Sequence, residues 1–189
     1  MKINGNALRP GNVIEHKDRL WRVTRVQHTQ PGKGGAYMQA ELRDLRNGSK
    51  LNERFRSSEE VERVRLEQKS FQYLYADGEQ HVFMDPDSYE QVTIPASTIG
   101  EELVPFLQDG MRVSIESYEG EVLGVELPDN VILEVINADA VVKGQTASSS
   151  FKPAMLSNGV RIMVPPHIEA GARLVVNPTE RTYVERARD

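Results

Sequence analysis

The chain has 189 residues, of which 27% are charged and 39% hydrophobic, as is ordinary for a folded soluble protein. It contains no cysteine, which excludes a disulfide scaffold, a thiolate nucleophile and a cysteine-based zinc or iron–sulfur site. An apolar run of about 18 residues is absent, so we expect no membrane-spanning helix. The N-terminal segment, residues 1–6, turns polar at once and has no apolar h-region, so we expect no secretory signal and a cytoplasmic protein.

Charge is distributed unevenly along the chain. Residues 1–64 carry 13 Lys and Arg against 8 Asp and Glu, a net charge of +5. Residues 65–126 carry 3 against 13, a net of −10, and residues 127–189 carry 7 against 7. Because binding to a polyanion needs positive potential, contact with nucleic acid is expected mainly in the first third.

Residues 1–64 are predicted to form a small β-barrel. Five short runs with alternating hydrophobicity are separated by turn residues, and closing such strands into a barrel removes exposed sheet edges. Asn47-Gly48 predicts a tight hairpin between the third and fourth strands. The predicted strands are 12–16, 20–28, 36–44, 51–55 and 61–66.

Residues 65–126 are predicted to form an oligonucleotide/oligosaccharide-binding (OB) fold, which combines five strands with one short helix. Asp77-Gly78 predicts the first turn. Thr98 and Glu101 have the spacing of a capping box, which predicts a helix that reaches about Leu107. The predicted strands are 70–75, 81–84, 89–94, 111–117 and 121–127.

Residues 127–189 are predicted to form a second OB-type barrel. Ser157-Asn158-Gly159 predicts a hairpin turn, and the polar stretch 143–150 predicts an exposed loop. The fold class is therefore mainly all-β, with three small barrels. The predicted strands are 131–136, 155–156, 160–164, 173–176 and 182–185.

Sequence patterns typical of enzymes are absent. The chain has no Gly-x-Ser-x-Gly elbow, no His-Glu-x-x-His and no Gly-x-Gly-x-x-Gly that follows a strand. No two histidines have metal-ligand spacing, so we expect surface or packing roles for them, no bound metal and no enzymatic activity. The histidines are His16, His28, His81 and His167.

One segment, Gln30-Pro31-Gly32-Lys33-Gly34-Gly35-Ala36, combines glycines with a single long side chain. It does not match a phosphate-binding loop, because Gln27 stands where the first glycine of that motif should be and Gly34 where the hydroxyl should be. It predicts a hairpin tip with Lys33 held outward. Two interpretations stay open: an ordinary solvated turn lysine, or a narrow cationic tip that enters an RNA-walled cavity.

Three motifs, one in each third, resemble the family of bacterial translation elongation factor P. The first is Pro-Gly-Lys-Gly at 31–34 between two strands. The second is Tyr-Leu-Tyr-Ala-Asp-Gly-Glu at 73–79. The third is Lys-Pro-Ala-Met-Leu-Ser-Asn-Gly at 152–159, which is followed by Val-Pro at 164–165. The resemblance covers essentially the whole chain.

The resemblance implies a KOW/SH3-like domain at 1–64 and two OB-type domains at 65–126 and 127–189, arranged in an L that imitates tRNA. It implies binding to the 70S ribosome between the peptidyl and exit sites and contact with peptidyl-tRNA. It also implies relief of stalling at consecutive prolines. Nothing in the sequence demands more than one chain, so we expect a monomer. No cofactor is implied, but the tip lysine of this family is often extended by a lysine-modifying enzyme, commonly by (R)-β-lysylation, which would fall on Lys33.

The residues expected at the site fall into three groups. The first is Lys33 with its loop neighbours Gln30, Pro31, Gly32, Gly34 and Gly35. The second is a set of arginines expected to contact RNA phosphates, namely Arg9, Arg25, Arg43, Arg54 and Arg56. The third is the loop with Gly144, Gln145 and Thr146, which resembles a family loop beside exit-site mRNA. Gln145 and Ser148 depart from the family's Asp and Gly there.

Three alternatives compete with this interpretation. A generic KOW/OB RNA-binding module would need aromatic stacking platforms, but only 6% of residues are aromatic and the middle third is acidic. A paralogue of elongation factor P would carry a different tip. An enzyme that uses Lys33 as a base would need the burial that an exposed tip lacks. The acidic middle third is expected to face a basic protein of the ribosome.

Overall fold

Three antiparallel sheets carry the regular structure of the chain in a computed structural model that describes residues 1–139 and 150–188. The sheets lie within the predicted segments 1–64, 65–126 and 127–189, although the boundaries themselves stay a prediction. By their contacts the residues group into two compact units. Unit one is Met1–Lys69 with Ile115–Gly124, and unit two is Ser70–Ser114 with Val125–Asp189.

The first sheet has six strands in the order β1-β6-β2-β3-β4-β5. Alternation of apolar and polar residues gives each strand one face toward a common core, which includes Ile14, Trp21, Leu42 and Phe55. The predicted barrel is confirmed, with one additional strand at the N-terminus. The strands are β1 Lys2–Asn4, β2 Val13–His16, β3 Arg19–Thr29, β4 Tyr37–Asp44, β5 Lys50–Arg56 and β6 Glu60–Val64.

The turn between β4 and β5 is wider than the tight hairpin that Asn47-Gly48 predicts. The N–H of Asp44 donates to the carbonyl of Ser49 at 2.8 Å, so residues 45–48 form the loop. Asp44 is buried and its Oδ1 accepts the N–H groups of Arg46 and Asn47. This side chain organises a longer turn in which Gly48 takes a φ of 73°.

The second sheet has the order β11-β10-β7-β8-β9. Its strands are β7 Glu67–Asp77, β8 Gln80–Met84, β9 Gln91–Pro95, β10 Arg112–Tyr118 and β11 Glu121–Glu126. The predicted turn at Asp77-Gly78 is confirmed, because Asp77 pairs with Gln80 across it and Gly78 has a φ of 61°.

The single helix predicted from Thr98 to Leu107 is wrong. The structure has a four-residue helix α1, Ala96–Ile99, and a separate 3₁₀ turn, Val104–Phe106. Pro95 occupies the N-cap without a side-chain cap, so Thr98 lies inside the helix and forms no capping box with Glu101. Gly100, with a φ of 101°, ends the helix because a left-handed residue cannot continue it.

The third sheet has the order β14-β13-β12-β15-β16. Its strands are β12 Val131–Ala138, β13 Lys152–Leu156, β14 Arg161–Val164, β15 Arg173–Asn177 and β16 Thr182–Arg186. The predicted turn at Ser157-Asn158-Gly159 is confirmed by the bond from Leu156 N–H to Val160 O at 2.9 Å. Among the described residues, the helices are too short and too polar to cross a membrane.

Candidate functional site: a lysine-tipped hairpin and its basic face

The longest hairpin of the first sheet carries the candidate site. Strands β3 and β4 pair antiparallel up to Thr29 and Tyr37, and residues 30–36 connect them. The predicted hairpin tip is therefore confirmed. Strands of 11 and 8 residues give this tip a supported base in a well-packed sheet.

Lys33 lies at the exposed end of this loop, with Gly32, Gly34 and Gly35 exposed around it and Pro31 half-buried. Only Gly34 among these glycines has a positive φ, of 107°. A methyl group on Gly34 would lie 3.9 Å from Pro31 Cγ, an ordinary contact. The backbone conformation therefore explains the glycine at position 34 alone.

Gly32 and Gly35 differ from Gly34 in this respect. Neither has a positive φ, and a Cβ added at either would have no described atom within 4 Å. The fold of the chain gives no reason for glycine at these two positions. Without side chains at these two positions, the tip stays narrow on both sides of Lys33.

The base of the tip is tied to the rest of the barrel. The N–H of Ser57, which follows β5, donates to the carbonyl of Ala36 at 3.1 Å, and Ser57 Oγ lies 3.4 Å from His28 Nε2. The guanidinium of Arg54 lies 4.1 Å from the centroid of the Tyr37 ring, a cation–π contact. These contacts hold the start of β4 against β5.

The outer face of β3, β4 and β5 is basic. Arg22, Arg43 and Lys50 are direct cross-strand neighbours in one row, and Arg54 and Arg56 lie farther along β5. Like charges directly opposite each other destabilise a sheet. Arg22 is neutralised by Glu116, whose Oε2 accepts from Nη2 at 2.8 Å. Arg43 and Lys50 form no ion pair with a described residue.

The predicted RNA-contacting arginines fall into two groups. Arg25, Arg43, Arg54 and Arg56 are exposed on this face and, within the described ranges, form no ion pair. Arg9 lies outside these strands, and its Nη1 donates to the carbonyls of Asn6 and Leu8 at 3.0 and 2.7 Å. The first four therefore lie on the outer face of β3, β4 and β5. One guanidinium nitrogen of Arg9 is already bound to backbone carbonyls of neighbouring residues.

Sequence reasoning missed Lys50 as a member of this face. The signal was present, because residues 50, 52, 54 and 56 alternate with the buried side of β5. The loop with Gly144, Gln145 and Thr146 lies outside the described residues.

His16 and Glu53 meet on the first sheet. His16 Nε2 lies 3.1 Å and Lys17 Nζ 3.0 Å from Glu53 Oε2, and hydrogen bonds from Lys17 and then His16 lower the pKa of Glu53. The His16 ring also packs edge-on against Phe55. This cluster is a structural ion pair of the barrel.

His81 is buried on the second sheet. Its Nδ1 lies 3.0 Å from the hydroxyl of Tyr73, and burial lowers the pKa of His81. Burial, and secondarily Asp109, raise the pKa of Tyr73. No group of three or more potential metal ligands occurs in the part of the chain that the structure describes.

Comparison with protein-family models assigns each third of the chain. The elongation factor P KOW-like domain matches residues 4–61, the elongation factor P OB domain residues 66–125, and the elongation factor P C-terminal domain residues 131–186. The chain belongs to the elongation factor P family. Three models of one family in the expected order confirm the resemblance that the sequence motifs predict.

Curated relatives agree with this family. Elongation factor P of Rhizorhabdus wittichii and that of Sphingopyxis alaskensis are each 59% identical over 187 residues, and that of Zymomonas mobilis is 58% identical over the same length. Each alignment covers 99% of this chain and 100% of the relative. The chain is thus a translation factor of the elongation factor P family.

Solved structures show the same fold at low identity. "Eukaryotic translation initiation factor 5A from Methanococcus jannaschii" aligns with a TM-score of 0.54 at 22% identity, over 68% of this chain and 92% of that one. An initiation factor eIF-5A family protein from Naegleria fowleri aligns with a TM-score of 0.50 at 19% identity, over 67% and 98%. At these identities the likeness concerns the fold alone.

Proposed function

We propose that this protein binds the ribosome between the peptidyl and exit sites and accelerates peptide-bond formation where consecutive prolines stall synthesis. Lys33 is the residue that reaches peptidyl-tRNA near the peptidyl-transferase centre. The observation that carries this proposal is the geometry of the tip, where one exposed lysine stands between two glycines that the fold itself does not require.

The width of the tip supports entry into a confined RNA site. A side chain larger than hydrogen at position 32 or 35 would point into open space, so only an external wall could exclude it. Lys33 supplies a compact cation on a flexible stem, which suits contact with a phosphate or with the sugar of a tRNA end. The basic face of β3, β4 and β5 adds sequence-independent attraction to RNA phosphates.

Slow peptide-bond formation at consecutive prolines has a physical cause. The proline ring fixes φ, and consecutive prolines favour an extended polyproline helix, so a peptidyl-prolyl end is held in a poor geometry for attack. A factor that orders the tRNA end lowers the entropic part of the barrier without acid–base chemistry. We therefore propose a positioning role and no enzymatic activity.

We also propose that Lys33 is extended covalently by a lysine-modifying enzyme, for example by (R)-β-lysylation. The amine is exposed at the end of a narrow loop, so a second protein can reach it without unfolding the hairpin. Intact-mass measurement on protein from its native host tests this part. A mass equal to that of the bare sequence contradicts it and leaves the ribosomal role standing.

The ribosomal role is tested by peptide formation on a message that encodes three consecutive prolines, in a reconstituted translation system. Wild-type protein is expected to accelerate synthesis, and Lys33→Ala to lose most of that acceleration. Lys2→Ala is the matched control, because Lys2 is an exposed lysine in β1 whose one ion pair with a described residue is a 3.6 Å contact with Glu60.

Two results would overturn the proposal. If mass-verified wild-type protein has no effect on the proline message, the ribosomal role is wrong. If Lys33→Ala and Lys2→Ala are equally active, the role of the tip is wrong.

A further inference from the structure

A second cationic feature lies near the start of β3, whereas the tip follows its end. A cavity of about 290 Å³ is lined by Arg22, Arg63 and Arg65 and by a single carboxylate, that of Glu116. All four residues belong to unit one. Three guanidinium groups against one carboxylate leave this cavity with an excess of positive charge.

Both oxygens of this carboxylate accept a hydrogen bond. Glu116 Oε2 accepts from Arg22 Nη2 at 2.8 Å, and its Oε1 accepts from Gln68 Nε2 at 3.2 Å. The side chain of Glu116 is only 14% exposed, so the pair is partly shielded from water and fixes the position of Arg22. Glu116 therefore neutralises Arg22, and among the described residues it forms no ion pair with Arg63 or Arg65.

Arg63 and Arg65 supply the excess charge. Neither forms an ion pair with any residue in the described ranges. Arg63 lies in β6, where it pairs with Ile14 of β2, and the next residue, Val64, pairs with Val13. The backbone of Arg63 is thus held in the sheet before any ligand arrives, and Arg65 follows directly after the end of β6.

Asn12 adds a neutral donor to the same wall. Its Oδ1 accepts the backbone N–H of Arg9 at 2.9 Å, which orients the amide and leaves Nδ2 as a donor. Asn12 lines the cavity beside Val13, at the start of β2. The wall therefore offers an amide N–H from the residue before β2 and, from the end of β6, two guanidinium groups that form no ion pair with a described residue.

We propose that this cavity binds a phosphate group. Guanidinium groups match phosphate geometry with paired, charge-assisted hydrogen bonds, and an excess of two positive charges matches a phosphate anion. The volume of the cavity is at the lower end of the range for small-molecule sites, which begins at about 300 Å³. This volume suits one phosphate and the atoms attached to it. The phosphate comes either from an RNA backbone or from a free anion such as inorganic phosphate.

Binding is tested on the full-length protein without ribosomes, so the result is separate from that of the translation assay. The NMR signals of the arginine Nε–H groups are followed during titration with sodium phosphate, with sodium chloride holding the ionic strength constant. A saturable shift of the Arg63 and Arg65 signals is expected. The double variant Arg63→Gln, Arg65→Gln is expected to bind phosphate at least tenfold more weakly.

Arg186→Gln is the matched control, because it removes an exposed arginine from β16 of unit two. It should leave phosphate binding unchanged. The fluorescence of Trp21 in the double variant should equal that of the wild type, because both replaced side chains are exposed. Equal phosphate binding by the double variant and the wild type, or the absence of a saturable shift, would overturn the proposal.

The source of the phosphate is decided by a second titration with a short oligoribonucleotide that lacks a terminal phosphate. The ligand is an RNA backbone if two results are found together. The oligoribonucleotide binds more tightly than inorganic phosphate, and the slope of log K against log salt concentration becomes shallower by about 1.4 in the double variant. If inorganic phosphate binds at least as tightly as the oligoribonucleotide, the ligand is a free anion.

Discussion

Gly5, in the 3₁₀ turn beside the first sheet, cannot accept an added methyl group without a movement of the backbone. It begins the 3₁₀ turn Gly5–Ala7, and its N–H donates to Glu59 O at 2.8 Å. A Cβ on Gly5 would overlap the carbonyl oxygen of Arg56 and would lie 3.2 Å from Phe55 Cβ. Because the obstacle is backbone, Gly5→Ala must displace either the turn or the end of β5.

The size of the effect follows from these contacts. Overpacking of this kind costs about 1–3 kcal/mol. Stretching the Gly5–Glu59 hydrogen bond adds about 1 kcal/mol. A total of about 3 kcal/mol, with a slope of about 1.5 kcal/mol per molar urea, lowers the urea midpoint of the first barrel by about 2 M.

The assay uses the single tryptophan of the chain. Trp21 is buried in the core of the first sheet, so its fluorescence reports unfolding of this barrel. Gly35→Ala is the control, because the same substitution there meets open space, and its midpoint should stay within about 0.3 M of the wild type. If Gly5→Ala also stays within that range, the steric reasoning is refuted.

Three further predictions concern the tip and the second sheet. Gly35→Ala should leave the free energy of unfolding unchanged yet slow synthesis on the proline message, because the added methyl group would meet only the RNA wall of the ribosomal site. Undiminished activity would show that the width of the tip is irrelevant. Gly34→Ala should slow synthesis in the same assay. It should also add about 1 kcal/mol of backbone strain at the tip, because the φ of Gly34 is positive. His81 has a pKa below its usual 6.5 in the folded protein, so its contribution to stability is complete above pH 6.5 and is lost as the pH falls through the folded pKa. Urea unfolding followed by circular dichroism between pH 7.5 and 5.5 should show a decrease that His81→Gln reduces; equal pH slopes would contradict this assignment.

The local features of the fold were predictable from sequence because their causes are local. Alternation of apolar residues located every strand of the three sheets except β1, and Asn158-Gly159 located a turn through the left-handed preference of glycine. The tip with Lys33 was also predictable, since Pro31 and the glycines mark a loop between two alternating runs. The family motifs added the order of the three domains.

The errors have equally specific causes. The predicted helix fails because Gly100 and Pro105 interrupt it, and the capping-box spacing of Thr98 and Glu101 does not outweigh them. Strand β1 was missed because its three residues show too little alternation, and it forms through pairing with β6, about 60 residues away in sequence.

The candidate phosphate cavity could not be predicted for a related reason. Glu116 and Arg22 are 94 residues apart, and no periodicity or spacing brings them together. Arg63 and Arg65 have no distinguishing signal in sequence, where they resemble any exposed arginines at the end of a strand. What distinguishes Arg63 and Arg65 is that neither forms an ion pair with a described carboxylate, and this depends on which side chains the fold brings near them.

The grouping of Ile115–Gly124 with the first barrel has a consequence for how this chain can be divided. Glu116 pairs with Arg22, and Glu121 Oε2 accepts from Arg46 Nη2 at 2.9 Å, so two carboxylates from the middle of the chain neutralise cations of the barrel. A fragment cut after Val64 would keep both arginines and lose both partners. Exchange of the N-terminal domain between relatives therefore requires that these two acidic positions travel with it.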